Sequence, residues 1–96
     1  MTKRDDELEA LRARIDALDR AIVDRLNERA RLALEAGRLK AAAGRDDVRD
    51  PEREREVLLR VAMANEGPLT QADLVEIYRR VIEAVVALEE RDRGSA

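Results

Sequence analysis

From Asp6 to about Ala43 one apolar stripe runs through the chain with nothing to stop it, and its length limits the possible folds more than any other feature. Leu8, Leu11, Ile15, Leu18, Ile22 and Leu26 succeed one another at spacings of three and four, the signature of a single helical face. The same rhythm continues to Arg29, Ala33, Ala36 and Lys40. No proline interrupts it, and its first glycine, Gly37, stands near the end. Some ~37 residues at roughly 1.5 Å each make a rod of ~55 Å. A compact domain of this length has a radius of gyration of only about 12 to 13 Å, so the rest of the chain cannot wrap the rod. The sequence therefore predicts a partner, most simply a second copy.

Composition narrows what can pack on that stripe. Tyr78 is the only aromatic residue, so the core must be built from Leu, Val, Ile and Ala, a mixture that suits helix against helix and carries high helix propensity. Cysteine is absent, which removes disulfides and thiolate metal sites. Histidine is absent too, and with it the usual base near neutral pH and the commonest metal ligand. A metal site would need carboxylates alone, and none is expected. No segment approaches 18 consecutive apolar residues, and the charged start lacks the apolar region of a signal peptide; the expected setting is the cytoplasm, away from membranes. Nineteen Lys and Arg against 22 Asp and Glu leave no clear basic patch, and stacking aromatics are missing, so a nucleic-acid partner is not expected.

Taken in order, Met1 to Arg4 are expected to fray, and helix 1 to run over about 6–43. Its outer faces carry opposite charges spaced for pairing, such as Arg25 with Glu28 or Arg31 with Glu35, worth only a few tenths of a kcal/mol each. Gly44 reads as the residue just past the end of the rod. After a polar connection from Arg45 to Arg49, Asp50-Pro51 signals a new helix: aspartate as cap, proline at the first position, Glu52 in the first turn. This second helix should cover about 51–65, burying Val57, Leu58 and Val61, and Gly67-Pro68 turns the chain. Thr70 caps a third helix over about 71–90, with Asp73 as the acid of a capping box and Leu69 packing on Leu74. Leu74, Ile77, Tyr78, Val81, Ile82, Val85 and Leu88 form its broad apolar face, and the tail from Arg91 to Ala96 reads as loose. The expected class is all-α: one domain over 1–96, a three-helix protomer with one very long N-terminal helix. Two such chains can lay their long helices together antiparallel and wrap the shorter ones across them.

Three charges fall where apolar residues belong. Arg29 and Lys40 lie along the stripe of helix 1, and Glu89 is the fourth member of the series Tyr78, Ile82, Val85, at steps of four, three and four. A lone buried charge costs several kcal/mol unless paired. The bland account is that Lys40 and Glu89 stand near helix ends, where long side chains reach water, and that Arg29 breaks register or forms an interhelical salt bridge. The functional account is a polar cavity between helices, lined by several cations and at least one carboxylate, whose natural ligand is a small polyanion. Arg53 and Glu54, one turn into helix 2, add another cation and carboxylate, ordinary by themselves in so charged a helix. Arg12 lies beside the stripe, where it can reach across a dimer seam.

The ordered set of these residues resembles the small all-helical, AroQ-type chorismate mutases of short bacterial form. Leu11-Arg12-Ala13-Arg14-Ile15-Asp16-Ala17-Leu18-Asp19 is similar to that family's opening pattern, followed by Leu26-Asn27-Glu28-Arg29 and Glu35-Ala36-Gly37-Arg38-Leu39-Lys40. Val48-Arg49-Asp50-Pro51-Glu52-Arg53-Glu54 resembles its second block, and the likeness extends from about Glu7 to Glu90. The resemblance implies an intertwined homodimer with two equivalent active sites and rearrangement of chorismate to prephenate, on the branch toward phenylalanine and tyrosine. It implies that Arg29, Lys40 and Arg53 act within one protomer, that Arg12 is donated from the other, and that Asp50 and Glu54 lie near the ring hydroxyl. Glu89 takes the position facing the ether oxygen, often glutamine in this bacterial group.

The chemistry fits a chain with no histidine or cysteine. The substrate is a small dianion whose ether bond breaks as a carbon–carbon bond forms, so no nucleophile, proton transfer or cofactor is required. Arg12 and Arg29 can grip carboxylates through charge-assisted hydrogen bonds and hold a reactive geometry. Lys40 can donate to the ether oxygen as charge develops there, and Glu54 can accept from the ring hydroxyl. An ionised Glu89 facing that oxygen would be anticatalytic, so it must be protonated, burial favouring the neutral form and neighbouring cations opposing it. Val85 departs from the pattern: a small hydroxyl residue usually stands there and touches a substrate carboxylate. Either its neighbours and the backbone suffice, with somewhat weaker substrate binding, or the substrate preference changes, to a mutase for 4-amino-4-deoxychorismate or a lyase releasing pyruvate from isochorismate. An alternative of another class is a non-catalytic helical dimer used for assembly or protein binding.

Overall fold

Each helix begins and ends where local chemistry satisfies its backbone. The structure, a computed structural model, describes residues 2–45 and 47–95; expectations for Met1, Asp46 and Ala96 lie outside the described residues. Three helices follow one another: α1 (Lys3–Ala42), α2 (Pro51–Ala64) and α3 (Gln71–Gly94). Residues 3 and 4, expected to fray, are helical, because Thr2 and Asp5 cap each other. The Thr2 hydroxyl accepts from the Asp5 N–H at 3.2 Å, and the Thr2 N–H donates to Asp5 Oδ2 at 3.0 Å, a reciprocal capping box. Hydrogen bonds from the Thr2 backbone, then its hydroxyl, hold the Asp5 carboxyl below its ordinary range.

Gly44 ends α1 as its position predicts. At φ +82° it lets the Arg45 N–H reach the Lys40 carbonyl at 2.9 Å while its own N–H reaches Ala41 at 3.0 Å, the paired bonds of a Schellman turn. Asp50 caps α2 by accepting from the Arg53 N–H at 3.1 Å, with Pro51 at the first position. Thr70 caps α3 by accepting from the Asp73 N–H at 3.1 Å. Between them, Asn65 donates to the Leu69 carbonyl and accepts from the Gly67 N–H, and Gln71 reaches back to the Ala62 carbonyl. The expected tail is not loose: α3 continues to Gly94.

The chain divides into two compact units, Met1–Arg31 and Leu32–Ala96. In the first, the stripe of α1 lies open, from 38% exposed at Leu26 to 62% at Leu18. The second contains the end of α1, α2 and α3. Its core is Ile82, Val85 and Val86 of α3, against which α2 packs. Gly37 is the buried residue of α1. A Cβ at that position would stand 3.3 Å from Glu89 Oε2, so the missing side chain makes room for the Glu89 carboxyl. No helix among the described residues is long and apolar enough to cross a membrane.

Candidate functional site

Among the described residues of the second unit, charged side chains of different elements meet at two places. The first lies between α1 and α3. Glu89 follows the buried series Ile82, Val85, Val86 at helical spacing and is half-buried, its carboxyl against Gly37. Lys40, also half-buried, stands one turn along α1 from that glycine. Beside Glu89 is a cavity of about 400 Å³, lined by Leu34, Gly37, Arg38, Ala41, Asp92 and Arg93 among others. Its rim is braced by a two-bond fork from Arg38 Nε and Nη2 to the Asp92 carboxylate at 3.1 and 2.8 Å, and by Arg93 donating to the Gly37 carbonyl at 3.4 Å. The hydrogen bond and charge of Arg38 hold the Asp92 carboxyl below its ordinary range.

The second place is the start of α2. Asp50 spends Oδ1 on the helix cap, and Arg53 is exposed with an ion pair to Glu56 at 3.5 Å. Glu54 is half-buried, and Arg49 stands 3.5 Å from its carboxylate. Arg49 in turn forks onto Glu83 of α3 at 3.0 and 2.6 Å. Hydrogen bonding to Arg49 lowers the Glu83 carboxyl, and the same bond raises the guanidinium. Val85 is buried in the core, 9% exposed.

Arg12 and Arg29 belong to the first unit. Arg12 is exposed and pairs with Glu9 at 3.1 Å; Arg29 is half-buried and engaged. The structure thus sets Glu89 beside Gly37, a turn from Lys40, and sets Asp50, Arg53 and Glu54 along the first turn of α2. Sequence reasoning missed Arg38, Arg49, Glu83 and Asp92, whose pairings join residues 54 and 34 positions apart and leave no local signal. Among the described residues no group of three or more Asp or Glu side chains could hold a metal ion.

Residues 11–90 match the family profile described as chorismate mutase type II. The chain belongs to this family. It is 40% identical over 89 residues to a bifunctional chorismate mutase/prephenate dehydratase of Stutzerimonas stutzeri, covering 88% of this chain and 24% of that protein. A protein of the same description from Aquifex aeolicus is 40% identical over 90 residues, covering 90% of this chain and 25% of that one. The chain therefore spans about a quarter of the length of these curated relatives. Among solved structures, chorismate mutase (Form II) from Thermus thermophilus superposes with a TM-score of 0.84 at 35% identity, covering 88% of this chain and 96% of that one. The chorismate mutase from Helicobacter pylori in complex with prephenate gives a TM-score of 0.85 at 30% identity, covering 95% and 98%.

Proposed function

We infer that this chorismate mutase family member rearranges chorismate to prephenate by holding and polarising the substrate, with no cofactor. The observation that carries this reading is the family match over residues 11–90, a span that includes every candidate site residue from Arg12 to Glu89. In this account Arg12 and Arg29 clamp the two carboxylates, and directional charge-assisted bonds keep the enolpyruvyl side chain over the ring. Arg53 adds a third cation. Lys40 donates to the ether oxygen as the C–O bond lengthens, and a protonated Glu89 donates from the other side, so that both bonds strengthen toward the transition state. Asp50 and Glu54 receive the ring hydroxyl. Val85, an aliphatic side chain, offers no bond to a carboxylate.

The active form proposed is a cytoplasmic homodimer in which α1 of one chain lies along α1 of the other and Arg12 crosses the interface. The open stripe of the first unit supports it. Leu8, Leu11, Ile15, Leu18, Ile22 and Leu26 are 38 to 62% exposed. Finishing the burial of each yields about 1 kcal/mol, hence roughly 12 kcal/mol for two chains before the costs of association.

The test is loss of chorismate absorbance on adding purified protein, with prephenate identified as product. Arg29→Ala should lower the rate at least about 100-fold by removing a charged donor from the site, while circular dichroism stays unchanged. Because Val85 replaces a hydroxyl donor, rates with 4-amino-4-deoxychorismate and isochorismate are measured beside chorismate. A faster reaction with either reassigns the substrate. No turnover of any of the three leaves a helical interaction protein.

A further inference from the structure

The fork between Arg49 and Glu83 ties the residue just before the α2 cap to α3. Arg49 immediately precedes the cap of α2, and its Nη1 and Nη2 donate to the two oxygens of Glu83 on α3 at 3.0 and 2.6 Å. A two-bond fork fixes the plane of a guanidinium as well as its place. The same group stands 3.5 Å from Glu54 Oε1. Glu54 is the less exposed partner of that contact, its side chain 25% exposed against 48% for Arg49. Glu54 and Glu83 thus share one cation, and α3 dictates where it sits. Resting on the reading above, in which Glu54 receives the ring hydroxyl, we propose that Arg49, locked by Glu83, is a positioning residue that aims the Glu54 carboxylate at the substrate. Arg49 need not touch the substrate itself. Its part is to place a carboxylate that does, so the geometry of α3 is transmitted to the first turn of α2.

The test is a double-mutant cycle on the full chain: Arg49→Ala, Glu83→Gln and both together. Each single substitution is expected to lower kcat/KM about 10- to 100-fold. The larger share falls on KM, because the hydroxyl contact exists before the transition state as well as in it. The double variant should lose no more than the worse single one, as members of one chain of contacts are not additive. Arg49→Lys keeps the charge without the fork and should recover only part; it carries the comparison if Arg49→Ala does not fold.

The charge-swapped pair R49E/E83R decides the matter. It rebuilds a tie between the loop and α3 but places a carboxylate next to Glu54. A Tm near the parent value with kcat/KM still depressed is the expected result. Recovery of both, or single variants with parental kcat/KM, overturns the proposal and leaves a structural clamp. Amide exchange at Arg53 and Glu54, read without substrate, separates this from the functional reading. If the parent protein forms no prephenate, that reading fails by itself. Faster exchange in Arg49→Ala and Glu83→Gln alike then still supports the positioning of this turn, and unchanged protection overturns it.

Discussion

Replacing Gly37 with alanine sets helix propensity against contact with Glu89. Gly37 is buried in the body of α1, where alanine in place of glycine favours the helix by about 1 kcal/mol. The new Cβ would stand 3.3 Å from Glu89 Oε2 and 3.8 Å from its Cδ. That is too close by a few tenths of an ångström, but the atom it meets is the far end of a flexible side chain. Yielding by that much takes a rotation well short of the ~30° that costs about 0.5 to 1.5 kcal/mol. Propensity should win, leaving a gain of about 0.5 to 1 kcal/mol. For a domain of this size that raises Tm by roughly 2 to 8 °C. The same displacement moves the carboxyl assigned to the ether oxygen. Misplacement by about 1 Å can cost ~100-fold, so a few tenths should lower kcat about 2- to 5-fold. Thermal melts at matched protein concentration and steady-state kinetics read the two effects separately. A lower Tm would refute the reasoning, because Glu89 would then be pinned and unable to yield. A raised Tm with unchanged kcat would remove Glu89 from the reacting atoms.

Activity should fall as pH rises and Glu89 loses its proton, and Glu89→Gln should flatten that fall; superimposable pH profiles would take Glu89 out of the role. The Arg38 fork depresses the Asp92 carboxyl, so its stabilisation is fully present above the unfolded value near pH ~4 and disappears as pH falls through the lower folded value. Asp92→Asn should accordingly lower the urea midpoint at neutral pH, with the gap to the parent closing in strong acid; a gap that persists there contradicts the linkage. Leu18→Glu, in the middle of the open stripe, should give a monomer in sedimentation and abolish turnover with it. An active monomer would end the account of a site shared by two chains.

Four of the six helix boundaries, the end of α1, both ends of α2 and the start of α3, were legible because a boundary is a local event. Asp50-Pro51, Thr70 and Gly44 act on backbone groups within five residues of themselves, and the structure uses all three as their chemistry predicts. The Thr2–Asp5 box carried the same kind of signal, hidden only by the general tendency of termini to fray. Glu89 could be picked out because it breaks an apolar series, a fact of spacing along one helix. Gly37 could not: in the sequence it is a glycine near the end of a rod, and only the approach of α3 turns it into the space occupied by the Glu89 carboxyl.

The end of α3 shows the other side. Read alone, residues 91–93 are a charged tail; in the fold, Asp92 takes the Arg38 fork and Arg93 reaches the Gly37 carbonyl, so the helix continues where the tail was expected to loosen. The sequence by itself determined three helices, their caps, the apolar faces and the charges out of place on them, since these depend on residues a few positions apart. Only the tertiary structure decided that Arg38 meets Asp92, that Arg49 meets Glu83 and Glu54, and that Glu89 lies on Gly37. Such pairings depend on which helix faces come together, and no spacing along the chain encodes the distance between them.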